Sequence, residues 1–132
     1  MNQQTNQQKK VLLVEDDKFL SSLLKNRLER DGIKVFHAEN GDVALAILKE
    51  ETPDLILLDI ILPQKSGFEV LEEIKQNPLL QKSPVIIISC LGQEGDVARG
   101  KDLGAIEYFV KAQTSIEDLV KKIKEFMALA QF

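Results

Sequence analysis

The sequence is poor in the residues that mark secreted, membrane-spanning and aromatic-rich proteins. It has no tryptophan, one tyrosine and one cysteine among 132 residues. The lone cysteine, Cys90, cannot form an internal disulfide, and no charged, apolar and small-residue pattern of a signal peptide opens the chain. No apolar run approaches the roughly 20 residues that a membrane-spanning helix needs. These absences predict a cytoplasmic protein that makes no membrane contact.

An excess of positive charge is also absent. The formal net charge is -4, and the lysines and arginines are scattered along the chain. Since phosphate contacts rely on clustered basic side chains, we expect no direct binding to nucleic acid. A chain of this length, 44% hydrophobic and 29% charged, is typical of one soluble domain. The opening residues MNQQTNQQKK are polar and low in complexity, so we expect a flexible tail over 1–9 and a folded domain over 10–130.

Five apolar runs rich in valine, isoleucine and leucine alternate with segments of helical periodicity. The runs are VLLV at 11–14, KVFHA at 34–38, LILL at 55–58, VIII at 85–88 and IEYFV at 106–110. Continuous apolar runs are typical of strands that are covered on both faces, as in a parallel sheet. Strands that alternate with helices predict right-handed crossovers and a single α/β domain with an open, doubly wound sheet.

Capping residues mark the ends of most of the predicted helices. We predict Gly32 at the end of the first helix, Asn40 at the start of the second, Ser66 with Glu69 at the start of the third, and Thr114 with Glu117 at the start of the fifth. The fourth helix, at roughly 93–102, contains Gly95 and Gly100, each of which lowers helix propensity by about 1 kcal/mol relative to alanine. We therefore expect the fourth helix to be short or mobile.

Polar side chains close four of the five apolar runs. These are Glu15 and Asp16 after the first run, Asp59 after the third, Ser89 after the fourth and Lys111 after the fifth. Each of them alone has a plain structural explanation, as a helix cap, a turn residue or a solvated side chain. Because the carboxyl ends of parallel strands meet at one edge of a sheet, we expect them to converge. Two like charges about 4 Å apart repel by roughly 4 kcal/mol near a protein surface, so converging acids need a cation or shared protons.

These residue types fit metal-assisted phosphoryl transfer. Asp16 and Asp59 are hard oxygen ligands of the kind that bind Mg²⁺, and Glu15 is expected to hold one of the waters of the ion. Asp59 can then act as the nucleophile and form an acyl phosphate. Lys111 and the Ser89 hydroxyl would neutralise and hydrogen-bond the phosphoryl oxygens as charge spreads over them in the transition state.

Two other polar residues receive purely structural interpretations. Asp17 is interpreted as an acid in the first turn of the helix that follows it. His37 lies within the second apolar run, and a lone histidine in a strand is interpreted as packed or solvated rather than as a phosphodonor.

The chain resembles the response-regulator receiver domain in VLLVEDD, PDLILLDIILPQKSGFEVLEEIK, VIIIS and LGAIEYFVKA, and the resemblance extends over 10–130. It implies a flavodoxin-like, five-stranded parallel sheet of strand order 2-1-3-4-5. It also implies phosphorylation of Asp59 by a histidine kinase or a phosphotransfer protein. The implied Mg²⁺ ligands are Asp16, Asp59 and the main-chain carbonyl of Ile61.

The resemblance further implies a switch that carries the signal to a protein surface. Ser89 and Tyr108 would form the switch pair, in which the hydroxyl moves to the phosphoryl group and the aromatic ring turns inward. The face made by the fourth helix, fifth strand and fifth helix would then contact a downstream protein or a second copy of the chain. Pro63 and Gly67 are expected to shape the loop after the phosphorylated strand. Such a domain is not an enzyme beyond catalysing its own aspartyl phosphorylation and dephosphorylation.

The chain departs from the family pattern at two positions. Ala112 follows Lys111 where the family usually has a proline joined by a cis bond; a cis bond before another residue costs about 3 kcal/mol, which favours trans here. Cys90 stands where a small residue is usual after the hydroxyl residue. No output domain follows the fifth helix, so the chain resembles a stand-alone receiver, although a piece cut from a longer protein would look the same.

Three other functions share part of this pattern. A phosphatase of the haloacid-dehalogenase kind would need an acid two residues after Asp59, where this chain has Ile61. A flavin carrier of the flavodoxin type would need a hydroxyl- and glycine-rich phosphate loop after the first strand, where this chain has acids. A receiver-like interaction module that works without phosphorylation stays open, because the departure at Ala112 is compatible with altered switching.

Overall fold

The described part of the chain, residues 8–129 of a computed structural model, alternates strictly between strands and α-helices. The elements are β1 (Lys10–Val14), α1 (Lys18–Arg30), β2 (Lys34–Ala38), α2 (Gly41–Leu48), β3 (Leu55–Leu58), α3 (Gly67–Gln76), β4 (Val85–Ser89), α4 (Glu94–Asp102), β5 (Glu107–Val110) and α5 (Ile116–Leu129), with a 3₁₀ turn at Lys111–Gln113. Residues 1–7 of the predicted tail and Ala130 of the predicted domain lie outside the described residues. None of the described helices is long and apolar enough to span a membrane.

The strands form one parallel sheet in the order β2-β1-β3-β4-β5. This order confirms the flavodoxin-like fold that the sequence predicts. The register pairs Val14 with Ala38 on one side and with Leu58 on the other. The ends of β1 and β3 therefore lie side by side at the carboxyl edge, at the switch point where sheets of this kind bind their ligands.

Alternate residues of the buried strands face two separate apolar layers. On β1, Leu12 and Val14 pack toward α2 and α3, whereas Val11 and Leu13 pack toward α1 and α5. All of these side chains are fully buried, and each such burial stabilises the fold by about 1.5–3 kcal/mol relative to exposure. The sheet is thus held firmly from both sides, which fixes the positions of the residues at its carboxyl edge.

Helix α4 is anchored by less buried surface than the other helices. Its only buried residue is Gly100, and its apolar residue Val97 is half-buried. Each of the other four helices buries at least three residues. A helix with so little buried apolar surface is a low-stability part of a fold.

Three predicted helix caps are confirmed. The side chain of Asn40 accepts a hydrogen bond from the Val43 N–H (2.9 Å), and Gly32 has a φ of 86° after α1. Ser66 and Glu69 form a reciprocal capping box, with hydrogen bonds of 3.2 and 3.3 Å. Local sequence signals are sufficient at these three helix ends.

The predicted cap of α5 is wrong by one residue. Ser115 rather than Thr114 caps the helix, because its hydroxyl accepts a hydrogen bond from the Asp118 N–H (3.1 Å). Thr114 instead donates its hydroxyl to the Val110 carbonyl (3.0 Å), and its N–H donates to the carbonyl of Lys111. Because Thr114 is hydrogen-bonded to the residues around the 3₁₀ turn, it does not cap the helix, and α5 begins at Ile116.

Candidate functional site

The ends of β1 and β3 fix the two acids that follow them. The Glu15 N–H donates to the Ala38 carbonyl, and the Asp59 N–H donates to the Val14 carbonyl, both at 3.0 Å. The sheet ladder thus continues one residue beyond each strand, which holds the backbone of both acids in place. Asp59 is further oriented by the Ile61 N–H, which donates to its Oδ1 at 3.2 Å.

The predicted acids do converge. Glu15, Asp16 and Asp59 each offer a carboxylate oxygen, and these atoms all lie within 4.8 Å of one another. Glu15 and Asp59 are buried, whereas Asp16 is exposed to solvent. Two of the carboxyl groups therefore lie where solvent screens charge poorly, and the third lies open to solvent.

Lys111 reaches this cluster from the end of β5. Its Nζ lies 3.0 Å from Oδ2 of Asp59 and 2.9 Å from Oε1 of Glu15. The Lys111–Ala112 peptide bond is trans, like all peptide bonds of the described residues. The ammonium thus reaches Asp59 without the proline that the family usually has after this lysine. Burial lowers the pKa of Lys111, but hydrogen bonds and charges from Glu15 and Asp59 outweigh burial and raise that pKa above its ordinary value.

Glu15 carries the most perturbed carboxyl group of the site. Burial, followed by the negative charge of Asp59, raises the pKa of Glu15 to about 7 in spite of its contact with Lys111. Oε2 accepts a hydrogen bond from the Asp17 N–H (3.1 Å). Oε1 is buried, and its close contact among the described residues is the ion pair with the Lys111 ammonium at 2.9 Å.

The cluster fits a hard divalent cation such as Mg²⁺. It offers carboxylate oxygens from two strand ends, and Lys111 supplies one positive charge against the three acids. Asp16 is open to solvent, which suits an ion that keeps several of its waters. Oε1 of Glu15, which is paired with Lys111, can also accept a hydrogen bond from such a water. A cation here would also relieve the repulsion between the acids.

Ser89 and Tyr108 are joined through the backbone of one loop residue. Ser89 is fully buried, and its Oγ accepts a hydrogen bond from the Leu91 N–H (3.2 Å). The Tyr108 hydroxyl donates to the carbonyl of the same Leu91 (2.6 Å). The tyrosine is only 7% exposed, because α4 covers its ring at Gly100, and the ring therefore already lies inward in this structure. Burial raises the pKa of Tyr108.

Gly67 and Pro63 lie in the loop that follows Asp59. A Cβ at Gly67 would overlap the carbonyl oxygen of Asp59 and would lie 2.7 Å from Cα of Ile60. The Gly67 N–H donates to the Ile60 carbonyl (2.8 Å), and the Pro63 carbonyl accepts from Lys65 (2.8 Å). The start of α3 thus packs directly on the backbone of Asp59, and only glycine leaves room for this contact.

Two structural interpretations change in detail. Asp17 is the N-cap of α1 rather than a first-turn residue, since its Oδ1 accepts from the Phe19 N–H (2.9 Å) and the Leu20 N–H (3.1 Å). His37 donates from Nε2 to the carbonyl of Glu15 (2.7 Å) and so supports the strand end that carries the acids. Its position near the end of β2, beside β1 in the register, is the signal that indicates this role.

A model of the response regulator receiver domain matches residues 11–124. The chain belongs to this family. Receiver domains are signalling domains of two-component systems and are not enzymes in the usual sense. The transcriptional regulatory protein CpxR of Klebsiella pneumoniae is 40% identical over 118 residues, which make up 89% of this chain and 49% of CpxR. The chain spans about half the length of the curated relatives it matches.

Solved receiver structures resemble the chain over most of its length. The phosphorylated cyanobacterial phytochrome response regulator RcpA has a TM-score of 0.83 and 35% sequence identity, covering 92% of this chain and 95% of RcpA. The Mn²⁺-bound form of response regulator Rcp1 has a TM-score of 0.76 and 36% identity, covering 89% of this chain and 90% of Rcp1. The likeness of these receivers to the chain therefore extends to sequence as well as fold.

Removal of the positive charge of Lys111 should destabilise this receiver. Lys111→Met keeps much of the apolar stem but leaves Glu15 and Asp59 facing each other without the ammonium. We expect the free energy of unfolding in urea to fall by about 1–3 kcal/mol, the range for buried polar groups that lose a partner. At a pH well above 7, where Glu15 is ionised, addition of Glu15→Gln should recover part of the loss, because it removes one of the two repelling charges.

Lys124→Met is the matched control for Lys111→Met. It breaks the pair between Lys124 and Asp31, which is as short (3.0 Å) but lies at the surface. Such surface pairs contribute about 0–1 kcal/mol. Equal losses in the two methionine variants, or no recovery with Glu15→Gln, would contradict an energetic role for the buried ion pairs.

Proposed function

We propose that this receiver is a phosphorylation-dependent switch that accepts a phosphoryl group on Asp59 from a histidine kinase or a phosphotransfer protein. The observation that carries the proposal is the surroundings of Asp59. Its carboxylate has the Lys111 ammonium at 3.0 Å and belongs to a group of three acids whose oxygens lie within 4.8 Å of one another. An acid with both a neighbouring ammonium and a metal-binding partner can attack the phosphorus of an anionic donor that carboxylates alone would repel.

The proposed step moves the phosphoryl group from nitrogen to oxygen. A carboxylate oxygen of Asp59 attacks phosphorus, an O–P bond forms as the N–P bond of the donor histidine breaks, and the imidazole leaves with the bonding electrons and takes up a proton. Mg²⁺, when bound, would neutralise negative charge on the phosphoryl oxygens. Its proposed ligands are Asp16, Asp59 and the main-chain carbonyl of Ile61, with Glu15 bound through a water. The relative Rcp1 has been solved with Mn²⁺ bound, which supports a divalent ion in this fold.

Two side chains would hold the phosphoryl group after transfer. The Lys111 ammonium, paired with Asp59 before transfer, would pair with the phosphoryl oxygens. The Ser89 hydroxyl, which accepts from the Leu91 N–H, would turn to donate to the phosphoryl group. Because Tyr108 bonds to the same Leu91, a shift of this loop reaches the surface beyond β5.

We call the surface formed by α4, β5 and α5 the output face and propose that it contacts a downstream protein or a second copy of the chain. Weak anchoring of α4 makes this face easy to bias. Ile106, just before β5, is 44% exposed and offers an apolar contact.

The net charge of -4 supports a protein partner over direct nucleic-acid binding. The free, exposed Cys90 suits the reducing cytoplasm that we propose as the location.

The alternative is an interaction module that works without phosphorylation. Its basis in the sequence is Ala112 after Lys111, where the family usually has a proline. The 3.0 Å contact between Lys111 and Asp59 supports the switch over this alternative.

Incubation with acetyl phosphate and Mg²⁺, followed by intact-mass measurement, tests the proposed switch. We expect one added phosphoryl group with Mg²⁺ and none with excess EDTA, because the acids repel the donor when the ion is removed. Undiminished phosphorylation in EDTA would contradict the metal-dependent step. An unchanged mass with Mg²⁺ would favour the interaction module.

Hydrogen exchange tests the proposed route to the output face. With beryllium fluoride and Mg²⁺ as a phosphoryl mimic, we expect the largest change in exchange over residues 89–111, which include the Leu91 loop, α4 and β5. The reason is that this segment joins the switch hydroxyl to the least anchored helix. Changes confined to α1 and α2 would contradict this route.

A further inference from the structure

Gly100 places the backbone of α4 directly against the ring of Tyr108. It is the only buried residue of this helix. A Cβ at Gly100 would lie 2.6 Å from Cδ1 of Ile87 and 3.0 and 3.3 Å from Cδ2 and Cε2 of Tyr108. The ring therefore fills the space that a side chain at position 100 would take.

The seated ring is also tied to the loop that carries the switch hydroxyl. The Tyr108 hydroxyl donates to the Leu91 carbonyl (2.6 Å), and the Leu91 N–H donates to Ser89 Oγ (3.2 Å). A ring displaced from α4 would carry its hydroxyl away from Leu91. The size of the residue at position 100 therefore affects the loop beside Ser89, because it determines where the Tyr108 ring lies.

We propose that Gly100 is a positioning residue: it lets Tyr108 seat inward against α4 and so determines how far phosphorylation of Asp59 changes the output face. This inference rests on the proposed switch and adds the residue that determines the size of the change at the output face. The glycine that weakens α4 as a helix is, on this proposal, required by the packing of the ring.

The expected response to a larger residue is graded. Cδ1 of Ile87 is the end of a flexible side chain and can rotate away, but the Tyr108 ring must shift as a rigid unit. Gly100→Ala requires a shift of the ring by a fraction of an ångström. Gly100→Leu leaves no room for the inward ring and should expel it.

Gly95 supplies a matched control on the same helix. A Cβ there would meet nothing within 4 Å, and the residue is exposed. Gly95→Ala and Gly95→Leu also raise the helix propensity of α4. A large difference between the two series therefore reports the contacts of position 100 with Ile87 and Tyr108, and the Tyr108→Leu background below separates the contribution of the ring.

The ring position can be read directly, because Tyr108 is the only tyrosine and the chain has no tryptophan. Acrylamide quenching of its fluorescence is expected to be weak in the parent, moderately stronger in Gly100→Ala and several-fold stronger in Gly100→Leu. Both Gly95 variants should match the parent. If Gly100→Leu does not fold, Gly100→Ala against Gly95→Ala carries the comparison.

A second arm separates this inference from the proposed function. All variants should gain one phosphoryl group from acetyl phosphate with Mg²⁺, but only the Gly100 variants should lose the hydrogen-exchange response over residues 89–111. In a Tyr108→Leu background, the urea midpoint of Gly100→Ala should move toward that of Gly95→Ala, because the obstructing ring is gone. Failure of phosphorylation in the parent itself would overturn the proposed function, and with it this inference as a signalling device, whatever the quenching shows.

Two results would overturn the role of Gly100 while the proposed function stands. One is parent-like quenching in Gly100→Leu, or equally increased quenching in Gly95→Leu. The other is a full hydrogen-exchange response in phosphorylated Gly100→Leu, which would mean that the ring position does not control the output face.

Discussion

Asn in place of Asp59 is expected to abolish phosphorylation by acetyl phosphate, with no added phosphoryl group detectable in the intact mass. The amide is almost the same size as the carboxylate but is a poor nucleophile and carries no charge for a cation. Glu15 and Asp16 remain in the variant, so the cluster still has two acids. Neither should substitute, because only Asp59 is bonded to Lys111 and also oriented by the Ile61 N–H.

Asp17→Asn is the control for this loss. It makes the same chemical change next to the site, and asparagine caps a helix as well as aspartate does. We expect both phosphorylation and stability to stay close to those of the parent. Phosphorylation that persists in Asp59→Asn, or that is equally lost in Asp17→Asn, would be incompatible with Asp59 as the acceptor.

A long-lived phosphoryl group is the second large effect that we expect. Hydrolysis of an acyl phosphate needs a water in line with the leaving oxygen, and polar side chains are what would orient it. In the family, the positions two beyond the acceptor and two beyond the switch hydroxyl lie near the path of that water. Here they are Ile61, which is 53% exposed, and the half-buried Leu91. Both side chains are apolar, so neither can hold a water by a hydrogen bond.

Replacing Ile61 with asparagine and Leu91 with glutamate should accelerate loss of the phosphoryl group by roughly tenfold, which is less than the roughly 10²–10⁴-fold that a fully positioned general base supplies. Decay can be followed by mass or on a Phos-tag gel. A double variant with Ile61→Met and Leu91→Met is the control, since it changes shape without adding a hydrogen-bonding group. Rapid loss from the parent, or equal lifetimes in the polar and methionine variants, would show that these side chains do not control the water.

The fold was predictable because its signals are local and repeated. Each apolar run such as LILL at 55–58 coincides with a strand, and capping residues such as Asn40 and Ser66 act within one helical turn. The convergence of Glu15, Asp16 and Asp59 followed from the parallel sheet, which brings the ends of its strands to one edge.

The features that the sequence did not reveal depend on contacts between distant segments. The burial of Tyr108 depends on a glycine of the preceding helix, which in sequence indicates only a weak helix. Thr114 does not cap α5, because its hydroxyl donates to the Val110 carbonyl across the 3₁₀ turn. Hydrogen bonding of His37 to the Glu15 carbonyl requires the register between β1 and β2. Periodicity and spacing carry no information on contacts of this kind.

Chemical trapping of the phosphorylated residue tests the central proposal most directly. Borohydride reduces an aspartyl acyl phosphate to homoserine, and peptide sequencing by mass spectrometry then locates the reduced residue. After treatment with acetyl phosphate and Mg²⁺, we expect homoserine at position 59 alone, and none when EDTA is present. Homoserine at position 16, a reduced glutamate at position 15, or no reduced residue in protein that has gained a phosphoryl group would contradict Asp59 as the phosphoryl acceptor.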